Sequence, residues 1–323
     1  MVNYHTQLVE FPTTDDLLLP GLLFTPEKPT RKAAIFLHGN GSASVFYSVT
    51  RAKALAESFA KQGIALLLFN NRGAHFIKTI NKQLSPEEKQ AASPSHHSGY
   101  HDVTLGTAYE LIKDCTHDIE GAINFVEEQG YTELSLVGHS SGANKICVYD
   151  HHHPSTENRI SKYVLLAGGD DTGIIYKMIG DQQKHAEYLA RAKRMITQGK
   201  GRKLIPKYML GWTLSYQSFY DLVNPNGDYN TFPFLEYLEG PRLSSKPLFD
   251  YFKNLSRPSL VVYGANDDYA PEKSGKLALK ILKHQVEELG TRAGDYEFKL
   301  IADTDHSFHG KEQELGETVA GWV

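Results

Sequence analysis

Short apolar runs recur along this chain and alternate with stretches of helical periodicity. The runs lie near residues 32–37, 64–70, 134–138, 162–167, 259–263 and 296–301. Most are continuously apolar, as strands buried on both faces should be, and the last alternates as a half-buried strand does. Segments near 48–62, 113–129, 142–150, 272–289 and 311–321 carry helix-compatible spacing. Strand–helix alternation of this kind predicts βαβ units and an α/β fold, with a mostly parallel central sheet and helices on both faces. Residues 6–11 and 17–24, joined by Pro12-Thr13-Thr14-Asp15-Asp16, predict an antiparallel hairpin at one sheet edge.

Two segments break the rhythm. Residues 71–112 read as a long loop with Ser85-Pro86, Ser93-Pro94 and Ser98-Gly99 as breakers. It holds His96, His97 and His101, but no acid or cysteine set completes a metal site, and none is expected. Residues 171–250 read as an insertion, dividing the chain into a core of 1–170 and 251–323 and a lid of 171–250. Within it Tyr208, Trp212 and Tyr216 recur at four-residue spacing, which predicts a row of rings on one helix face. Such a row either forms the insertion's own core or lines a substrate pocket. Arg191, Lys193, Arg194, Lys200, Arg202, Lys203 and Lys207 make an acid-free stretch that reads first as a solvated face.

The densest chemical signal is Gly138-His139-Ser140-Ser141-Gly142, immediately after the run Leu134–Val137 and before a helix-compatible segment. A sharp strand-to-helix turn of G-x-S-x-G form lifts the central hydroxyl clear of the sheet. Ser140 is therefore the candidate nucleophile. A serine needs a base, and the base needs an orienting carboxylate. Asp267 and Asp268 follow the run Ser259–Tyr263. Asp267 is favoured by its position after Gly264 and before Pro271. Asp170 and Asp171, after an earlier run, are weaker alternatives for the acid. His306 follows the last run and is the candidate general base, with His309 as fallback. His38-Gly39-Asn40-Gly41, after an early run, offers the amide of Asn40 as one oxyanion donor, and the amide of Ser141 is the other. His38 is read as a brace for that loop.

On these residues the chain resembles the α/β-hydrolase superfamily, over roughly residues 30–170 and 255–320. The resemblance implies a Ser-Asp-His hydrolase with no metal and no cofactor. Phe69-Asn70-Asn71-Arg72-Gly73, Gly106-Thr107-Ala108-Tyr109-Glu110 and Gly142-Ala143-Asn144-Lys145 look like the DUF1749 type. That group includes fungal enzymes that open ester bonds in hydroxamate siderophores.

Composition narrows the partners. Hydrophobic residues make up 41% and charged residues 22% of 323, with a net charge of −4 and a pI near 6.4. A near-neutral acidic balance gives no nucleic-acid signal. Apolar runs fall short of the ~18 residues a membrane span needs, so membrane association is not expected. Cys115 and Cys147 suggest no disulfide framework. No basic-then-apolar leader opens the chain, and a cytoplasmic location is the expectation. Oligomeric state is not legible. The expected substrate is a small or medium-sized ester. Thioesterase, peptidase and acyltransferase share the same triad and stay open, with a lipid-surface lipase or a non-catalytic binding module as the more distant readings.

Overall fold

The computed structural model describes residues 3–41, 43–91, 99–153, 159–288 and 295–323. An eight-stranded sheet forms the centre. Its strands in chain order are β1 (Tyr4–Pro12), β2 (Leu18–Pro26), β3 (Lys32–Leu37), β4 (Ala65–Phe69), β7 (Glu133–His139), β8 (Ile160–Leu166), β9 (Ser259–Gly264) and β10 (Tyr296–Ile301). They lie side by side as β1-β2-β4-β3-β7-β8-β9-β10. The expected edge hairpin is β1–β2, antiparallel, and β2 meets β4 antiparallel. The remaining pairings, from β4 to β10, are parallel.

The central strands are short apolar runs that end where glycine or polar residues begin. Every residue of β4 and of β9 is buried, as helices on both faces require. Helices α1 (Val49–Lys61) and α12 (Glu312–Trp322) pack together, α3 (Cys115–Glu128) packs on α4 (Ser141–His152), and α11 (Gly275–Glu287) packs on β9 and β10. Because β3, β7, β8, β9 and β10 are parallel, their carboxyl ends share one edge of the sheet. That edge is where open α/β sheets build ligand sites.

The 71–112 segment is more structured than its sequence predicts. Strands β5 (Lys78–Gln83) and β6 (Tyr100–Leu105) form an antiparallel ribbon, and α2 spans Pro86–Ala91. The signal was hidden because the β5 residues KTINKQ bury only Ile80. A ribbon held mainly by backbone bonds leaves little apolar alternation to read. His101 lies in β6, whereas His96 and His97 fall outside the described residues.

Residues 171–250 contribute no strand to the main sheet. They fold as α5 (Asp171–Ile179), α6 (Gln182–Thr197), α7 (Lys207–Leu210), α8 (Tyr216–Val223), α9 (Phe234–Glu239) and α10, which begins at Asp250 and runs to Lys253. No helix among the described residues is long and apolar enough to cross a membrane.

Beneath the sheet edge lies a buried polar layer. Arg72 donates from Nε to Asp118 at 2.8 Å and from Nη2 to Asp15 at 2.8 Å. Lys145, on α4, is ion-paired with Glu110, and their side chains are only 1% and 2% exposed. Removing one member of such a pair strands a charge in a low-dielectric interior. Glu110→Gln should therefore lower unfolding stability by about 3–5 kcal/mol. The double variant Glu110→Leu/Lys145→Met should lose less than the single one, as read by urea-unfolding midpoints.

Candidate active site

Ser140 sits between the end of β7 and the start of α4 with φ 57° and ψ −130°. A non-glycine residue rarely adopts that conformation, and holding it costs of order 1–3 kcal/mol. Here the Ser140 amide donates to Leu166 O at 2.8 Å, which anchors the turn to the neighbouring strand β8. Ser141 to Asp150 are all buried, so α4 is clamped on every side. The strained turn is thus fixed by the elements around it.

His306, in the loop after β10, reaches both partners. Its Nε2 lies 2.9 Å from Ser140 Oγ, and its Nδ1 lies 2.9 Å from Asp267 Oδ1. With Nδ1–H donating to the carboxylate, Nε2 presents its lone pair to the serine hydroxyl. Asp267 is buried, and its Oδ1 also accepts from the amides of Tyr269 and Ala270 at 2.9 and 3.2 Å. Asp268 is exposed, and no side-chain bond links it to His306. His309 pairs with Asp305 at 2.7 Å on the surface. Asp170 caps α5, accepting from Gly173 N and Leu235 N, both at 2.7 Å, and does not contact His306.

The loop after β3 lies against the serine. A Cβ on Gly39 would come within 2.8 Å of Ser140 Cβ, so only glycine permits the approach. Asn40 and Ser141 both line the cavity in front of Ser140. Ser141 opens α4, where the first amides lack helical partners and the helix dipole favours negative charge. The Asn40 side chain is tied down on two sides. Its Oδ1 accepts from Gly41 N at 2.7 Å, and its Nδ2 donates to Tyr229 Oη at 3.4 Å.

Two further histidines brace the site. His38 donates from Nδ1 to Gly39 O at 2.8 Å and accepts the Asn71 amide on Nε2 at 3.1 Å. His139 donates from Nε2 to the His306 carbonyl at 2.8 Å, with its ring 5.1 Å from the His306 ring. Burial holds both in the neutral form, taking His38 down to about 3 and His139 well below the ordinary histidine range.

The cavity in front of Ser140 has a volume of about 890 Å³. Its apolar wall includes Ile174, Ile175 and Met178 of α5 and Leu222 of α8. Arg51, Asp171 and Tyr269 also line it, and the sequence pattern alone did not single out Arg51 or Tyr269. The aromatic row in the insertion is not one helix face. Gly211, at φ 80°, ends α7 after Leu210. Tyr208, Trp212 and Tyr216 therefore diverge. Tyr208 is 65% exposed and lies over Arg191, and Tyr216 is buried with its hydroxyl accepting from Arg191 Nε. Of the three, only Trp212 lines the cavity. Four-residue spacing misled because a left-handed glycine interrupts the helix it implied.

Several solved structures share this architecture across nearly the whole chain. The siderophore hydrolase EstB from Aspergillus fumigatus aligns at TM-score 0.59 and 15% identity, covering 98% of this chain and 97% of that one. A thermostable carboxyl esterase from Bacillus coagulans aligns at 0.58 and 14%, covering 98% and 97%. Est1E from Butyrivibrio proteoclasticus aligns at 0.56 and 12%, covering 98% and 96%. The fold is that of the α/β-hydrolases. No curated protein shows a significant match to the sequence. Residues 30–320 match the family described as "Protein of unknown function (DUF1749)", and the chain belongs to that family.

The braced histidines generate a pH prediction. The folded value of His38 lies below the ordinary 6.5, so its contribution to stability is complete above about pH 6.5 and is lost as pH falls toward about 3. The stability advantage of wild type over His38→Gln should shrink as pH falls from 6.5 to 5, by up to about 1.4 kcal/mol per pH unit. Urea unfolding at each pH measures it.

Proposed function

We propose that this protein is a serine hydrolase of carboxylic esters, acting on a small or medium-sized substrate through an acyl-enzyme. The observation that carries the reading is the continuous hydrogen-bonded chain Ser140–His306–Asp267, with both links at 2.9 Å. His306 takes the Ser140 proton as Oγ attacks the ester carbonyl. Asp267 holds the imidazole tautomer and stabilises the imidazolium. The amides of Asn40 and Ser141 receive the developing oxyanion, an interaction worth several kcal/mol in the transition state. His306 then protonates the departing alcohol, and water repeats the sequence on the acyl-enzyme.

The strained serine turn, the buried acid and the neutral bracing histidines support this reading. The esterases and the siderophore hydrolase among the structural relatives agree with it. Residues 171–250 act in this scheme as a lid whose α5 and Trp212 shape the pocket. The same chemistry accommodates thioesters, and esters of siderophore type belong in the first substrate panel.

Hydrolysis of p-nitrophenyl esters from acetate to palmitate tests the proposal. Ser140→Ala should lower kcat by about 10⁴-fold or more, and a fluorophosphonate probe should label wild type at Ser140 alone. Activity retained in Ser140→Ala, or no ester cleaved and no labelling in wild type, overturns the reading. In the same assay Asp267→Asn should lose about 10⁴-fold in kcat, and Asp268→Asn should stay within a few-fold of wild type. The reverse pattern would assign the acid to Asp268. Trp212→Ala should move the acyl-length optimum toward longer chains, and an unmoved optimum removes Trp212 from the pocket.

A further inference from the structure

The proposed hydrolytic machinery leaves one cavity-lining carboxylate unused. Asp171 opens α5, and its Oδ2 accepts the Ser141 hydroxyl at 2.7 Å. Among the described residues no hydrogen bond reaches Oδ1, and no lysine, arginine or histidine forms an ion pair with this carboxylate. Among the described residues Asp171 is the only acid in the cavity lining. It does not orient His306, because Asp267 does. Its place at the first turn of a helix suits a carboxylate, but that role does not require it to face a substrate cavity.

Its position relative to the proposed reaction is specific. Ser141 supplies an oxyanion donor, so a group held by Asp171 lies within a few ångströms of the scissile carbonyl. The departing alcohol must lie toward His306, which hands it a proton. That side carries Tyr269 and Ser307, and Arg51 donates from Nη2 to Ser307 O at 2.8 Å. Asp171 therefore faces the acyl half. Along α5, Asp171, Ile174, Ile175 and Met178 stand at i, i+3, i+4 and i+7, and all four line the cavity. One helix face thus presents a carboxylate near the carbonyl and an apolar wall beyond it.

We propose that Asp171 is a specificity-determining residue that binds an ammonium group on the acyl half of the substrate, so that the preferred substrates are esters of apolar amino acids or of similar amino-bearing acyl groups. This deepens the ester-hydrolase reading and rests on it for the word ester. An ionised carboxylate beside an oxyanion donor opposes the negative charge developing there. An ammonium between them cancels that cost, so only a cationic acyl group turns the residue to advantage. Burial already pushes the Asp171 carboxyl up to about 6, against the pull of the Ser141 hydroxyl and of His306. A bound cation relieves that burial cost.

The test compares ethyl 2-aminobutyrate with ethyl butyrate by pH-stat at pH 7, in wild type and in Asp171→Asn, whose side-chain oxygen still accepts from Ser141. The ratio of kcat/KM for the amino ester to that for its partner should fall about tenfold or more in the variant, as losing a charge-assisted bond predicts. Taking the change in the ratio removes the intrinsic reactivity of each ester and any general damage to the site. An unchanged ratio overturns the proposal. A calorimetric titration of wild type with n-pentylammonium chloride and with 1-pentanol reads the site without catalysis or mutation. About tenfold tighter ammonium binding is expected, and equal binding overturns the proposal. If neither ester is cleaved while the ammonium still binds more tightly, the ester reading falls and the cation site stands. Cleavage of both esters with no change in their ratio has the opposite meaning.

Discussion

The site depends on how closely two backbones approach. A Cβ on Gly142 would lie 2.2 Å from the carbonyl oxygen of Leu37, so α4 starts in direct contact with the end of β3. Any side chain there would force the helix away from the strand. The parallel register that sets Leu37 beside Gly138 delivers both chain ends to the same point. Ser140 is then pressed against the loop carrying Asn40, and its strained backbone has no room to relax. The serine, the loop amides and the helix N-terminus are consequences of one contact.

Charge control follows from the same closeness. Among the described residues three histidines line the cavity, and two of them are tied by both burial and hydrogen bonds into the neutral form. A positive charge on His139, whose ring lies 5.1 Å from that of His306, would oppose the imidazolium that the proposed mechanism forms there. Keeping the braces neutral leaves the Asp267 carboxylate as the charge bonded directly to His306. The His139 bond to the His306 carbonyl also joins the turn bearing Ser140 to the loop bearing His306.

Much of this was legible in the sequence because it follows from local rules. Apolar runs and helix periods set the strand order's raw material, and G-x-S-x-G after a strand located the turn. Asp267 and His306 meet Ser140 because residues just past parallel strands all reach the same sheet edge. What was hidden depends on tertiary neighbours. The KTINKQ strand carries too few apolar residues to show its period. Gly211 cuts a spacing that looked helical. Arg51 and Tyr269 look like ordinary helix and loop residues until α1 and the loop after β9 bring them to the cavity. Asp171 was visible as an acid after a strand, but its contact with the Ser141 hydroxyl is a fact of packing.

The hidden polar layer bears on function as well as on folding. A buried ion pair is poor evidence for stability, since a well-packed apolar pair of similar volume often does as well. Its use is positional. Lys145 lies on α4 and Glu110 on the segment that follows β6. In that same segment Thr107 Oγ1 lies 2.5 Å from the Gly41 carbonyl and 2.8 Å from the Gly73 carbonyl. One short stretch of chain therefore grips both the helix behind the serine and the loop proposed to hold the oxyanion. An apolar substitute could fill the same volume but would not fix the spacing between those two elements. A transition-state donor only a few tenths of an ångström out of place loses much of its worth. The charges in this layer are therefore best understood as setting the distance between Ser140 and the amide of Asn40.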